Sequence, residues 1–346
     1  MSISADIEKR LGSFTLKLSF DAGSETLALL GESGCGKSMT LRCIAGIVRP
    51  DRGRIAVDGV TLFDSEKHID LTPQRRRVGL MFQNYALFPN MTVLENIRAG
   101  ARRERDRRKR ERMVSTVMDS FGLGELAARY PHQLSGGEQQ RTALARILVS
   151  DPLALLLDEP FSALDSHLRF RLEREVRAVI REFGKTVLLV SHDRDEVFRM
   201  ADRIAVMRAG RLEVCGGRDE VFADPKTRAG AVLTGCKNVS RLTRREGNRG
   251  YAEDWGMPLE LPGGAGECEY VGIRMHDIRP GPGENSFRCR VVEEIENPFS
   301  QTIMLQAPGE GGTPVGWETD RETWRQYRAP ELEINLPKER LLLLRG

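Results

Sequence analysis

The sequence predicts an α/β domain followed by a small β-barrel, on three observations. An apolar run of strand length, Leu27-Ala28-Leu29-Leu30, feeds the glycine-rich turn Gly31-Glu32-Ser33-Gly34-Cys35-Gly36-Lys37-Ser38. Apolar residues at helical spacing follow from Met39 to Ala45, so strand, loop and helix succeed one another. Beyond about Thr234 helical periodicity fades and short alternating runs stand between glycine and proline turns, such as Pro262-Gly263-Gly264 and Pro280-Gly281-Pro282-Gly283.

Taken in order, Phe14 to Phe20 alternates apolar and polar residues, as a half-buried strand does. The turn from Gly31 to Ser38 fits G-x-x-x-x-G-K-[ST], whose glycines let backbone N–H groups curl round phosphate oxygens. The helix opening at Lys37 adds unpaired N–H groups and the positive end of its dipole. Lys37 is then expected on the β- and γ-phosphates of a nucleotide, and the Ser38 hydroxyl on Mg²⁺. Arg54 to Gly59 is a short strand closing in Asp-Gly, and Arg77 to Phe82 is a buried strand ending at Gln83. Asn84 to Ile97 is apolar and aromatic without strand or helix period until Val93, which reads as a satellite core or a docking surface.

Ala101 to Arg112 carries eight basic and three acidic residues. The acidic interruptions and the lack of aromatics predict the solvated face of a surface helix, and no nucleic-acid partner is expected. Leu134-Ser135-Gly136-Gly137-Glu138-Gln139 opens a second helix at a serine and glycine turn. Leu153 to Leu157 is a fully apolar strand ending in Asp158-Glu159-Pro160, which puts two carboxylates at the end of a buried strand, where open α/β sheets keep their chemistry. A helix is expected from about Leu168 to Phe183, a buried strand from Thr186 to Val190 ending at Ser191-His192-Asp193, and a hairpin across Arg208-Ala209-Gly210.

At 346 residues the chain suits two domains, with a boundary expected near Gly235. A net charge of +3 gives no argument for a polyanionic partner. The six cysteines show no C-x-x-C pair or zinc spacing and read as free thiols in a reducing compartment. No signal-peptide pattern opens the chain and no apolar run is long enough to span a bilayer, so a membrane role is expected to come through a partner.

Gly31 to Ser38, Gln83, Leu134 to Gln139, Leu155 to Glu159, Ser162 to Asp165 and His192, in that order, resemble the ATPase subunit of ABC transporters over about residues 3–234. The resemblance implies a P-loop NTPase fold of the ABC ATPase type: a mixed-sheet core, an antiparallel β subdomain and a helical subdomain at about 84–150. Residues 235–346 resemble an oligonucleotide-binding-like accessory domain. It implies ATP as substrate, held by Gly31 to Ser38 with Met39. Mg²⁺ would be held by Ser38, Gln83 and Asp158; Glu159 would be the general base, Gln83 a contact to metal and attacking water, and His192 the γ-phosphate sensor. Ser135, Gly136, Gly137 and Glu138 would close over ATP bound to a second copy in a head-to-tail dimer, with Asp165 crossing the interface. The family's adenine-stacking aromatic has no match: Leu11 falls nearest by spacing, while Phe14 alternates with Leu16 and Leu18 towards the core.

Asn84 to Ile97 resembles the surface on which importer ATPases receive a helix of the membrane permease. That likeness implies a peripheral subunit on the cytoplasmic face of the cell membrane. Leu62-Phe63-Asp64-Ser65, Thr234 to Ser240 and Asp254-Trp255-Gly256 resemble molybdate and related oxyanion importers. Sulfate, sugars, polyamines and iron are the alternative solutes, and Lys237, Arg241, Arg244 and Arg274 are candidates for sensing an oxyanion.

Overall fold

The computed structural model describes residues 2–162, 166–263, 266–307 and 312–346, with backbone only for 166–168. The chain forms two compact units, Met1–Arg218 and Asp219–Gly346.

The first unit holds two sheets. The antiparallel one runs β2-β1-β4-β5-β6, from β1 (Ile3–Leu11), β2 (Phe14–Ala22), β4 (Arg52–Val57), β5 (Val60–Asp64) and β6 (Ile69–Asp70). Ile3, Ala5 and Ile7 on β1 and Leu16, Leu18 and Phe20 on β2 are buried on one face while their neighbours meet water, the alternation a half-buried strand requires. The six-stranded sheet runs β11-β10-β3-β9-β8-β7, from β3 (Thr26–Gly31), β7 (Val78–Met81), β8 (Ala154–Asp158), β9 (Thr186–Ser191), β10 (Arg203–Arg208) and β11 (Arg211–Gly217). All its pairings are parallel except β10 with β11. Strands β3, β8 and β9 are buried throughout, which explains their unbroken apolar sequence. Each of Leu27, Leu29, Leu156, Leu188 and Val190, at 0% exposure, contributes about 1.5–3 kcal/mol of burial.

Helix α1 (Lys37–Ala45) packs into the same core through Leu41, Cys43 and Ile44. The short helix α2 (Pro73–Arg76) ends in Arg76, whose guanidinium donates to the carbonyls of Leu71, Cys43 and Ile44 at 2.8–2.9 Å and to Asp70 at 2.9 Å. Its side chain caps the carboxyl end of α1 at the Cys43 and Ile44 carbonyls.

Helices α3 (Val93–Gly100), α4 (Arg107–Ser120) and α5 (Gly136–Leu148) surround a separate cluster containing Val93, Ile97, Val114, Met118, Leu123 and Leu126. The arginine-rich run is broken at Glu104–Asp106, and Asp106 caps α4 by accepting from Arg108 and Lys109 N–H. Helix α6 (Ser166–Phe183) and α7 (Arg194–Met200) flank β9 in the chain.

In the second unit, two five-stranded antiparallel sheets share a core around Trp255, Trp317 and Trp324. This is the β-rich domain expected after the first unit. Its start precedes the compositional change at Thr234. Arg274 donates to the carbonyls of Phe222 and Thr234, and Ala231 packs with Cys236 and Leu344, so the helical residues before Gly235 belong with the β-strands.

Candidate functional site

Sheet register assembles the site. Met81 pairs with Leu157 and Asp158 with Val190, so Gln83, Glu159 and His192 lie side by side just past the carboxyl ends of β7, β8 and β9. Leu30 pairs with Ser191, which brings the glycine turn after β3 to the same edge. Parallel strands deliver these groups together because all point the same way.

The turn itself is shaped by glycine. Gly36 is the residue capping α1, at φ 110° and ψ 4°. A Cβ there would lie 2.8 Å from Leu16 Cδ1 and 3.1 Å from Phe14 Cζ. Glu32, Ser33 and Gly34 are exposed, Met39 is half-buried against the core, and Cys35 is buried. Burial pushes the Cys35 thiol up, partly opposed by the neighbouring Lys37. Lys37 is 5% exposed and donates to the carbonyls of Gly31 at 2.6 Å and Glu32 at 2.9 Å. Its ammonium is thus held over the mouth of the loop.

Ser38 Oγ donates to Asp158 Oδ1 at 2.7 Å. Burial raises the Asp158 carboxyl from its ordinary value, and the Ser38 hydroxyl and Arg42 oppose the rise. Glu159 adopts φ 46°, and its N–H donates to Val190 O at 3.0 Å, continuing the ladder by one bond while turning the side chain out of the strand. Its carboxylate is bracketed: Gln83 Nε2 lies 3.5 Å from Oε2 and His192 Nδ1 3.3 Å from Oε1. Two of the residues singled out in the sequence therefore converge on the carboxylate of a third.

Ser135 caps α5. Its hydroxyl accepts from Glu138 N–H at 3.4 Å, while the Glu138 carboxylate accepts from Ser135 N–H at 2.7 Å and Oγ at 2.8 Å. These bonds hold the Glu138 carboxyl below its ordinary value. Gly136 and Gly137 form the first turn, and a Cβ on Gly137 would lie 3.1 Å from Leu172. Among the described residues no hydrogen bond joins this segment to the glycine turn. Asp165 lies outside the described residues.

Leu11 is exposed and pairs with Phe14 across the β1–β2 turn, while Phe14 packs partly against the core. The sequence reading left β1 unassigned, although Ile3, Ala5 and Ile7 carried a period of two. It also gave no role to Glu173 or Glu196, both buried.

A family model described as ABC transporter matches residues 15–162. The spermidine/putrescine import ATP-binding protein of Frankia alni is 41% identical over 318 residues, covering 85% of this chain and 67% of that protein. The sulfate/thiosulfate import ATP-binding protein of Chromobacterium violaceum is 39% identical, covering 87% and 82%. The trehalose/maltose import ATP-binding protein of Thermococcus litoralis is 39% identical, covering 84% and 83%. The chain belongs to the ABC transporter ATP-binding family. It is an importer-type ABC ATPase, binding and hydrolysing ATP. Among solved structures, a dimeric ATP-binding cassette in a post-hydrolysis state with ADP and Pi is 27% identical at a TM-score of 0.53, over 63% of this chain and 99% of that one.

The residues at the edge suit Mg-ATP on their own chemistry. Ser38 and Asp158 are hard oxygen donors already in contact, Lys37 supplies charge beside the loop amides, and the space a Cβ of Gly36 would fill is taken by Leu16 and Phe14. No cluster of three or more His, Cys, Asp or Glu able to hold a metal occurs among the described residues.

Proposed function

We propose that this ABC ATPase drives solute import by pairing head-to-tail with a second copy, with ATP closed between the glycine turn of one and Ser135–Glu138 of the other. One observation carries the reading: Glu159 held between Gln83 and His192, one residue beyond an Asp158 bonded to Ser38. Lys37 and the loop amides hold the phosphates. Ser38, Asp158 and Gln83 would hold Mg²⁺, which when bound supplies charge neutralisation at the β- and γ-phosphates. Glu159 accepts the proton of the attacking water, and its carboxylate is kept in line by Gln83 on one oxygen and His192 on the other.

The permease is assigned to the segment around Asn84–Ile97. Tyr85 and Ala86 both take positive φ, Arg146 donates to both their carbonyls, and its guanidinium lies over the Phe88 ring at 5.2 Å. Asn96 accepts from Phe88 N–H and donates to the carbonyls of Phe88, Met91 and Thr92. An irregular segment is thereby made rigid with an apolar ring outward, which suits a partner helix. No helix among the described residues is long and apolar enough to cross a membrane, and attachment to the cytoplasmic face of the membrane is assigned to the permease.

The named relatives import polyamines, sulfate and sugars; none of those three is a molybdate importer, so they favour the wider set of solutes over molybdate.

The test is Glu159→Gln in the full chain. Turnover is expected to fall by about 10²–10⁴-fold while ATP is retained and light scattering reports an ATP-dependent dimer. Hydrolysis within about threefold of the wild type removes Glu159 from its role.

A further inference from the structure

The turn carrying His192 is fastened from behind by a buried polar group of residues outside the nucleotide site. Asp193 caps α7, accepting from Asp195 N–H at 2.9 Å and Glu196 N–H at 3.0 Å, and takes Arg169 Nη1 from α6 on its other oxygen at 3.1 Å. One turn further along α6, Glu173 is 3% exposed and receives Arg199 of α7 through two bonds, at 2.6 and 3.0 Å. Glu196 is 4% exposed. The Ser191 hydroxyl faces its carboxyl and accepts from Asp193 N–H at 3.0 Å. Two atoms in this group, Glu196 Oε1 and Arg169 Nε, are buried without a hydrogen-bond partner. Packing alone does not account for such a set, since apolar side chains would fill the same space without the desolvation penalty.

We propose that Glu196, acting with Arg169, Glu173, Asp193 and Arg199, is a positioning residue that holds His192 against Glu159 by locking the turn after β9 to helix α6. It touches neither nucleotide nor water. Its action runs through Ser191 and Asp193, the two residues flanking His192, and α6 follows the Glu159 strand end in the chain. The inference rests on the assignment of His192 and Glu159 above.

The group is built to work with Glu196 neutral. Facing its carboxyl are Ser191 of β9, Asp193 of its own turn, and Glu173 and Arg169 of α6. Burial raises the carboxyl from 4.5 to about 8, and Asp193 and Glu173 add to the rise against Ser191 and Arg169. The acid is therefore protonated in the folded chain at neutral pH, and its contribution is lost as pH rises through about 8. Above that point a third carboxylate enters a space already holding Asp193 and Glu173, and the lock loosens.

The experiment is the pH dependence of MgATP hydrolysis by the full chain between pH 6.5 and 9.5, for wild type, Glu196→Gln and Glu196→Ala. Wild-type kcat is expected to fall about tenfold between pH 7 and pH 9 with KM little changed, as one ionisation predicts. Glu196→Gln, which imitates the protonated acid, loses that basic limb. Glu196→Ala drops kcat at pH 7 by about tenfold or more at similar KM, and Gln in its place restores most of it. A basic limb kept by Glu196→Gln, or none in the wild type, overturns the inference. So do variants that change only the melting temperature. His192→Ala separates the two levels: if it leaves kcat unchanged, the assignment of His192 falls. If it abolishes turnover while Glu196→Gln titrates like the wild type, the positioning role alone falls.

Discussion

Replacing Gly36 by alanine tests whether the phosphate loop is shaped by sterics, as its geometry requires. Gly36 sits at φ 110°, a conformation that costs an L-residue about 1–2 kcal/mol even where the left-handed region is most tolerant. The added Cβ would stand 2.8 Å from Leu16 Cδ1 and 3.1 Å from Phe14 Cζ, an overpacking worth about 1–3 kcal/mol against a strand that cannot retreat. The sum is about 2–5 kcal/mol. It divides between lost stability and lost affinity, because the loop relieves strain only by rotating α1's first turn and carrying Lys37 and Ser38 with it. Were all of it spent on binding, ATP affinity would fall between about 30-fold and several thousandfold. Urea unfolding and equilibrium nucleotide binding on the same preparation measure both parts. Leu16→Ala in the Gly36→Ala background removes the nearer contact but not the backbone strain, so the double-mutant cycle should return a favourable coupling of about 1 kcal/mol. A Gly36→Ala chain with wild-type unfolding and affinity within twofold refutes the reasoning.

Arg76→Ala is expected to destabilise the first unit by about 2–4 kcal/mol, because it leaves the Leu71 and Ile44 carbonyls without their donor. Thermal unfolding reads it, Arg76→Lys should recover little for want of the planar fork, and a shift below about 2 °C counts against the cap. Cys35, buried and with its thiol pushed up, should stay unmodified by iodoacetamide at pH 7 while the chain is folded; rapid alkylation found by peptide mapping would mean the loop opens freely.

What was legible in the sequence was what local chemistry and strand ends determine. The glycine turn, Asp158-Glu159 and His192 each stand at the carboxyl end of an apolar run, and a parallel sheet necessarily brings such ends to one edge. Gln83 was legible for the same reason, since β7 pairs with β8 in the register that sets it opposite Glu159. Strand β1 was passed over although Ile3, Ala5 and Ile7 alternate, because charged Asp6, Glu8 and Arg10 fill the other face and Lys9 breaks the apolar row, diluting the signal. The group around Glu196 left no trace in the pattern. On α6 and α7, Glu173 and Glu196 read as ordinary helix-surface charges, and only the packing of these helices turns them inward. Composition reports where strands begin, whereas Arg274 and Leu344 decide which helices pack against them.

The Glu159 carboxylate and the Ser135 segment belong to parts of the first unit with separate hydrophobic cores, so few bonds join them directly. The Pro160 carbonyl, one residue past Glu159, accepts from Gln140 Nε2 at 3.2 Å and lies 3.5 Å from the Tyr85 hydroxyl. Gln140 belongs to α5 and Tyr85 to the segment following Gln83, so both converge on the peptide adjoining the carboxylate. Gln140 Oε1 is buried without a partner, and Arg146, two turns along α5, grips the carbonyls of Tyr85 and Ala86. A shift of α5 by a fraction of an ångström must therefore stretch the bond to Pro160 or drag the Glu159 turn with it, because Tyr85 is tied to the same helix. Buried hydrogen bonds of this kind are costly to leave unmade, so moving the turn is the cheaper response. The fold thus makes the geometry of Glu159 answer to the position of α5, the helix that presents Ser135.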